Sequence, residues 1–254
     1  EESQATGYWN DMPVKNDDFQ GPLGEYNQIR PQYHLLRRLH LFLHDWGASL
    51  AGMGVDLPDQ RPTGKEDADT LRWSVRSGGR SGFVFINNYE RLRDLPAKTN
   101  VQFTLQLPGG PLTFPEKPVT VPPECCTFWP FNFNLGKGIT LISATAQPLC
   151  AIDDGDVHTV FFAETKGVPA EFVFDKAVSL KSSSGKISNE GDKQTVRRLE
   201  TGRRPALQIS TPSGSLQIVL LSDADSLALW KGALQGCDRV FLSPAGLVLD
   251  GENI

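Results

Sequence analysis

Val101-Gln102-Phe103-Thr104-Leu105-Gln106-Leu107 alternates apolar and polar side chains without a break, and Pro108-Gly109-Gly110-Pro111 ends it. Period-two alternation puts Val101, Phe103, Leu105 and Leu107 on one face, the mark of a strand with one side buried. The pattern extends outward in both directions. Leu71 to Arg76 alternates, Gly78-Gly79 supplies a turn and Phe83 to Tyr89 resumes, which predicts a hairpin. Further strands are expected at 112–114, 119–121, 127–133, 139–145, 159–163, 171–174, 178–181, 195–199, 206–210, 216–221, 239–243 and 247–250. Asp223 is expected to cap a short helix running through Leu227, Leu229 and Trp230, and the polar run from Ser182 to Lys193 reads as a loop. Short strands separated by Gly/Pro turns indicate a mainly β chain, an antiparallel β-sandwich-type domain.

One segment breaks this rhythm. Asn16 to Trp46, NDDFQGPLGEYNQIRPQYHLLRRLHLFLHDW, joins a turn-rich loop to one long helical pattern. Tyr33, Leu35, Leu36, Leu39, Phe42, Leu43 and Trp46 recur at spacings of three and four, which predicts an amphipathic helix from Pro31 to an end at Gly47. The organisation that follows is 1–51 for the opening loop and helix, 52–68 for a connection, and 69–254 for an all-β region with a possible subdivision near 155.

Composition narrows the partners. The 254 residues hold 25 Lys plus Arg against 30 Asp plus Glu, a net charge of −5. That balance argues against nucleic acid, which selects clustered positive charge. Arg197, Arg198, Arg203 and Arg204 gather locally, but Glu200 sits among them without interleaved aromatics, so a solvated loop is expected. No run reaches the roughly 20 apolar residues of a membrane span, so no membrane partner is expected. A start at Glu1 rather than Met reads as a processed or excised chain. Cys125, Cys126, Cys150 and Cys237 lack zinc-type pairing and are expected to be buried free thiols.

Sites of chemistry are sparse. Ser77-Gly78-Gly79-Arg80-Ser81-Gly82 is Gly-rich but lies between two strands and reads as a hairpin turn rather than a phosphate cradle. His40 and His44 stand one helical turn apart, yet Leu41 occupies the place of a zinc protease's Glu, so no metal is assigned. Glu25 reads as a hydrogen-bond acceptor near the helix start. In Phe128-Trp129-Pro130-Phe131-Asn132-Phe133, alternation sends Trp129, Phe131 and Phe133 to one side and Phe128 to the other, which indicates a sandwich core.

Several of these stretches together resemble a known family. Asp18 to Glu25, then Pro31-x-Tyr33 opening HLLRRLHLFLHDWG, is similar to the end of the catalytic barrel in glycoside hydrolase family 35 β-galactosidases, where a loop of the type S-Y-D-Y-D-A-P-L-x-E follows the eighth strand. Ser81 to Tyr89, FTLQLPGGPLTFP (103–115) and FWPFNFNLGKGITLISATAQPL (128–149) resemble the all-β domain after that barrel. The resemblance spans most of residues 8 to 254 and implies that the loop and helix of 1–51 close a (β/α)8 barrel. It also implies a retaining mechanism with two glutamates about 5 Å apart, both on barrel strands upstream of the eighth. Neither glutamate context occurs here, and Asn189-Glu190-Gly191 matches only as a dipeptide.

The family's loop tyrosines align on Asp17 and Phe19, which leaves Phe19 to supply an apolar wall to the galactose pocket, and Trp9 falls near the same pocket. The resemblance implies no cofactor and no catalytic residue in this chain; its partners would be the missing barrel and, through the whole enzyme, a galactose-containing saccharide. It is compatible with a secreted or periplasmic location. The leading expectation is therefore a non-catalytic C-terminal portion of a β-galactosidase-like enzyme, inactive alone. The alternative is a free-standing carbohydrate-binding or interaction β-module, and a third reading is a purely structural interaction domain.

Overall fold

A computed structural model describes residues 21–24 and 28–253. Helix α1 (Pro31–Ala51) precedes β1 (Gly54–Asp56), β2 (Arg72–Gly78), β3 (Ser81–Asn88), β4 (Lys98–Leu107), β5 (Gly110–Val121) and β6 (Cys125–Gly136). Next come β7 (Ile139–Ala144), β8 (Ala146–Asp154), β9 (Val157–Glu164), β10 (Glu171–Asp175), β11 (Leu180–Ser182), β12 (Lys186–Glu190) and β13 (Lys193–Arg197). The last elements are β14 (Leu207–Thr211), β15 (Gly214–Leu221), α2 (Asp223–Leu227), β16 (Leu229–Leu234) and β17 (Cys237–Leu242).

The chain is mainly β, as its alternation indicates. One sheet has eight strands in the order β1-β2-β3-β6-β7-β10-β13-β12, and a second has five in the order β11-β14-β15-β9-β8. Pairing is antiparallel apart from β9 with β15. Two hairpins, β4–β5 and β16–β17, form separate layers. Phe128, Leu141, Phe172 and Phe174 of the large sheet meet Phe162, Leu207, Leu216 and Ile218 of the smaller one in the main core. On the large sheet's other face, Phe103, Leu105 and Phe114 of the β4–β5 hairpin pack on Val84, Ile86, Trp129 and Phe131. A third core joins Leu149, Val219 and Leu221 to Leu229 and to Leu41 of α1.

Helix α1 covers an edge. Strand β8 ends the smaller sheet, and an unpaired strand edge presents backbone groups that need partners. Leu41 enters the core on one side of that edge and Phe42 the core on the other. The Phe42 ring is fully buried, 4.5 Å from Phe128 and 5.1 Å from Phe83 between centroids. At the edge itself, the Ala151 N–H donates to Asp45 Oδ2 at 2.8 Å.

Several local expectations change. The helix runs past Gly47 to Ala51, because burial of Leu50 rewards another turn more than one glycine costs. Residues 112–121 form one strand, β5, rather than two. The run from Ser182 to Lys193 is no loop: β12 pairs with β13 residue by residue, and its full exposure removes the alternation that would have marked it. Helix α2 is shorter than expected, capped by Ser222, whose hydroxyl accepts the Asp225 N–H, and Trp230 belongs to β16. Residues 247–250 form no strand. Phe133 leaves the face of Trp129 and Phe131 for the main core, because Asn132 adopts φ 44° and shifts the phase of β6. Arg197 is no solvated loop residue: it lies in β13 and pairs with Glu116 and with Glu171 at 2.8 Å.

Truncating Phe42 tests the helix's place in the core. Phe42→Ala should cost about 3–5 kcal/mol in urea unfolding; a loss below about 1 kcal/mol would mean that α1 docks loosely.

Candidate functional site

The sequence-predicted pocket residues Trp9, Asp17 and Phe19, like Glu25, lie outside the described residues. The site that can be built from the described ones is the surface around α1. Its polar flank is tied down. Arg37 stacks on Trp230 with its guanidinium carbon 3.5 Å from the ring centroid, and it donates to the carbonyls of Leu227 and, at 3.0 Å, Leu229. Arg38 meets Asp223 Oδ1 at 2.6 Å and Ser226 Oγ at 3.1 Å. Asp45 accepts from Lys231 Nζ at 2.7 and 2.9 Å and lies 2.9 Å from His44 Nδ1.

The apolar stripe of α1 is covered only in part. Phe42, Trp46 and Leu50 pack into the main core, but Leu35, Leu36, Leu39 and Leu43 are 50%, 41%, 38% and 38% exposed. A helix normally turns such a stripe toward a core. Beside Leu35 and Leu39 the inner face of the large sheet is also uncovered, forming a groove of about 670 Å³ lined by Leu57, Ser74, Phe85 and Phe128, with Arg38 and Arg72 at its margin. Leu57 and Val55 nearby are exposed as well. Large contiguous apolar surfaces are the kind that interaction sites use, which makes this groove the candidate. The sequence displayed the leucines; what it hid was the groove, whose walls come from α1, β2, β3 and β6.

Other clusters are structural. Glu171 Oε1 accepts the Glu116 N–H at 2.8 Å, and Arg197 bridges both carboxylates, stapling β5 to β10 and β13. Burial alone would raise the Glu116 carboxyl, but hydrogen bonding to Glu190 and to Arg197 holds it below its ordinary value. A general acid needs the opposite shift. In the linker, N–H groups of Thr70, Thr63 and Asp69 hold the Asp67 carboxyl down at about 2. The four thiols are free; Cys125 and Cys150 are buried, which pushes them up to about 11 and about 12, whereas Cys126 and Cys237 are exposed. Among the described residues, no three His, Cys, Asp or Glu side chains converge as metal ligands, the pair His40 and His44 included. No helix among them is long and apolar enough to cross a membrane.

A scan against models of known protein families and a search of curated proteins find no match.

Two outcomes follow for the α1 surface. Replacing Leu35 and Leu39 together by Glu should cost no more than about 1.5 kcal/mol of unfolding free energy, well below Phe42→Ala, because both leucines are half exposed; a loss above about 3 kcal/mol would place them in the core. Asp45 makes the docking pH-dependent. Burial pushes its carboxyl up, but hydrogen bonds from His44, Lys231 and the Ala151 N–H outweigh it, so the folded value lies below the ordinary 3.8. A depressed carboxyl stabilises the fold above its unfolded value, and that contribution is lost as the pH falls below 3.8 toward the folded value. Asp45→Ala leaves the Lys231 ammonium buried without its closest anion and should cost about 3 kcal/mol at neutral pH. The variant should also lose less stability than the parent between pH 5 and 3 in urea titrations; parallel pH profiles would remove Asp45 from the docking.

Proposed function

We propose that this chain is the C-terminal portion of a β-galactosidase-like glycoside hydrolase of the family 35 type, with α1 as the last helix of a (β/α)8 barrel and the β layers as its buttress. The observation that carries this reading is the division of α1 into two sides. In such a barrel the helices form an outer ring, apolar toward the strands and polar outward. Here Arg37, Arg38 and Asp45, on the polar flank, hold the β layers, while Leu35, Leu36, Leu39 and Leu43 are left open beside an apolar groove. Barrel strands and neighbouring barrel helices would cover those leucines.

In this role the chain breaks no bond. Retaining hydrolysis needs one glutamic acid to protonate the glycosidic oxygen and a second glutamate to attack the anomeric carbon, both on upstream strands. What this chain supplies is position. The arginine and aspartate contacts fix the closing helix; by the resemblance, Trp9, Asp17 and Phe19 would border the galactose pocket.

Purified 254-residue chain should therefore leave nitrophenyl β-galactoside intact, and the polypeptide extended by its natural upstream coding sequence should hydrolyse it. Hydrolysis by the 254-residue chain alone, or an inactive extended polypeptide, would contradict the proposal.

A further inference from the structure

The β4–β5 hairpin covers only part of the large sheet's outer face. Beside it runs a groove of about 770 Å³, which meets the α1 groove at Leu57 and Trp73. Every residue from Asn100 to Leu107 lines this groove. Successive side chains of a strand point to opposite faces, so eight consecutive residues can line one groove only if it meets the strand edge-on. From β2, by contrast, only alternate residues contribute, Trp73, Val75 and Ser77, which makes that face of β2 the floor. Among the described residues no strand fills the groove, which is flanked by the β4 edge and floored by the sheet that β4 and β5 already pack on.

The edge is open beyond its first residues. Strand β4 pairs with β5 and with no other strand among the described residues. Lys98 and a bulge at Asn100, which adopts φ 56°, guard the start of the strand, but from Val101 to Leu107 it carries no charge and no proline, two of the usual devices that keep a long edge from pairing. A layer of two strands is also incomplete by the ordinary standard of three or more. Charge sets the character of the far wall: Asp56, Asp59 and Asp69 line the groove and no Lys or Arg does.

We propose that this groove binds an extended segment of a partner protein that adds to the β4 edge as a third strand. The segment turns alternate apolar side chains onto Trp73 and Val75 and presents Lys or Arg to Asp56, Asp59 and Asp69. Main-chain hydrogen bonds to β4 supply the affinity, and the alternate side chains supply the selection. Eight paired residues correspond to about 26 Å of strand. A second copy of this chain fits worse, because it would set the same three aspartates against each other. An oligosaccharide could stack on Trp73, but it has no use for a row of amides at strand spacing.

A peptide of alternating Val and Lys, about nine residues long to match the edge, is the direct probe. Titrated into the chain, it should protect the amides of residues 100–107 from hydrogen exchange, and its affinity should fall with added salt. The triple variant Asp56→Asn, Asp59→Asn, Asp69→Asn should bind it about tenfold more weakly, and a Val–Glu peptide should bind no better than that. All three aspartates are exposed, so the variant keeps its fold. A Val–Lys peptide with proline at its centre should lose the protection of β4. The proposal is overturned if the Val–Lys peptide leaves β4 unprotected, if the Val–Glu peptide binds equally well, if a galacto-oligosaccharide gives the protection instead, or if the chain dimerises through β4.

Discussion

The edge of β8 is the constraint on which the arrangement depends. A five-stranded sheet laid over an eight-stranded one leaves part of the wider sheet bare and leaves β8 with unpaired backbone groups facing outward. Helix α1 answers both needs. Its Asp45 carboxylate takes a β8 amide, Leu41 and Phe42 straddle the strand, and the Phe42 ring closes the gap over Phe83 and Phe128. Without the helix, the main core would open to water beside Phe83, Phe128 and Phe133.

That docking uses the helix in an unusual way. Its polar flank is held by charge-assisted bonds and by a stacked guanidinium, interactions that fix orientation as well as adding free energy. Its apolar stripe is buried where Phe42, Trp46 and Leu50 reach the core, while Leu35, Leu36, Leu39 and Leu43 stay partly exposed, Leu35 and Leu39 beside an apolar groove. Burial is the larger energetic term for side chains of this size, at roughly 1.5–3 kcal/mol each. Four leucines left partly exposed on one helix forgo some of that term, which is the observation behind the proposal that a second body covers them.

Much of the fold was legible in the sequence, and the parts that were not share a cause. Strand β4 and the β2–β3 hairpin announce themselves through alternation and Gly78-Gly79, signals carried by neighbouring residues. Strand β12 was invisible because none of its five residues is buried, so no pattern was imposed on it. The crossing of Phe133 to the main core came from the single backbone angle at Asn132, which no side-chain pattern reports. The grooves lie further from reach: each is bounded by elements tens of residues apart, as with Leu35 and Phe85, or Trp73 and Leu107. Sequence showed that α1 was amphipathic; only the packing showed that its stripe is half covered.

The central proposal is that the partly exposed leucines of α1 face a second body encoded upstream in the same polypeptide. Hydroxyl-radical footprinting of the 254-residue chain and of the polypeptide extended by its natural upstream coding sequence tests it most directly. The account predicts oxidation of Leu35, Leu36, Leu39 and Leu43 in the shorter chain, protection of all four in the longer one, and protection of Phe42 in both. Equal oxidation of the four leucines in the two polypeptides would contradict it.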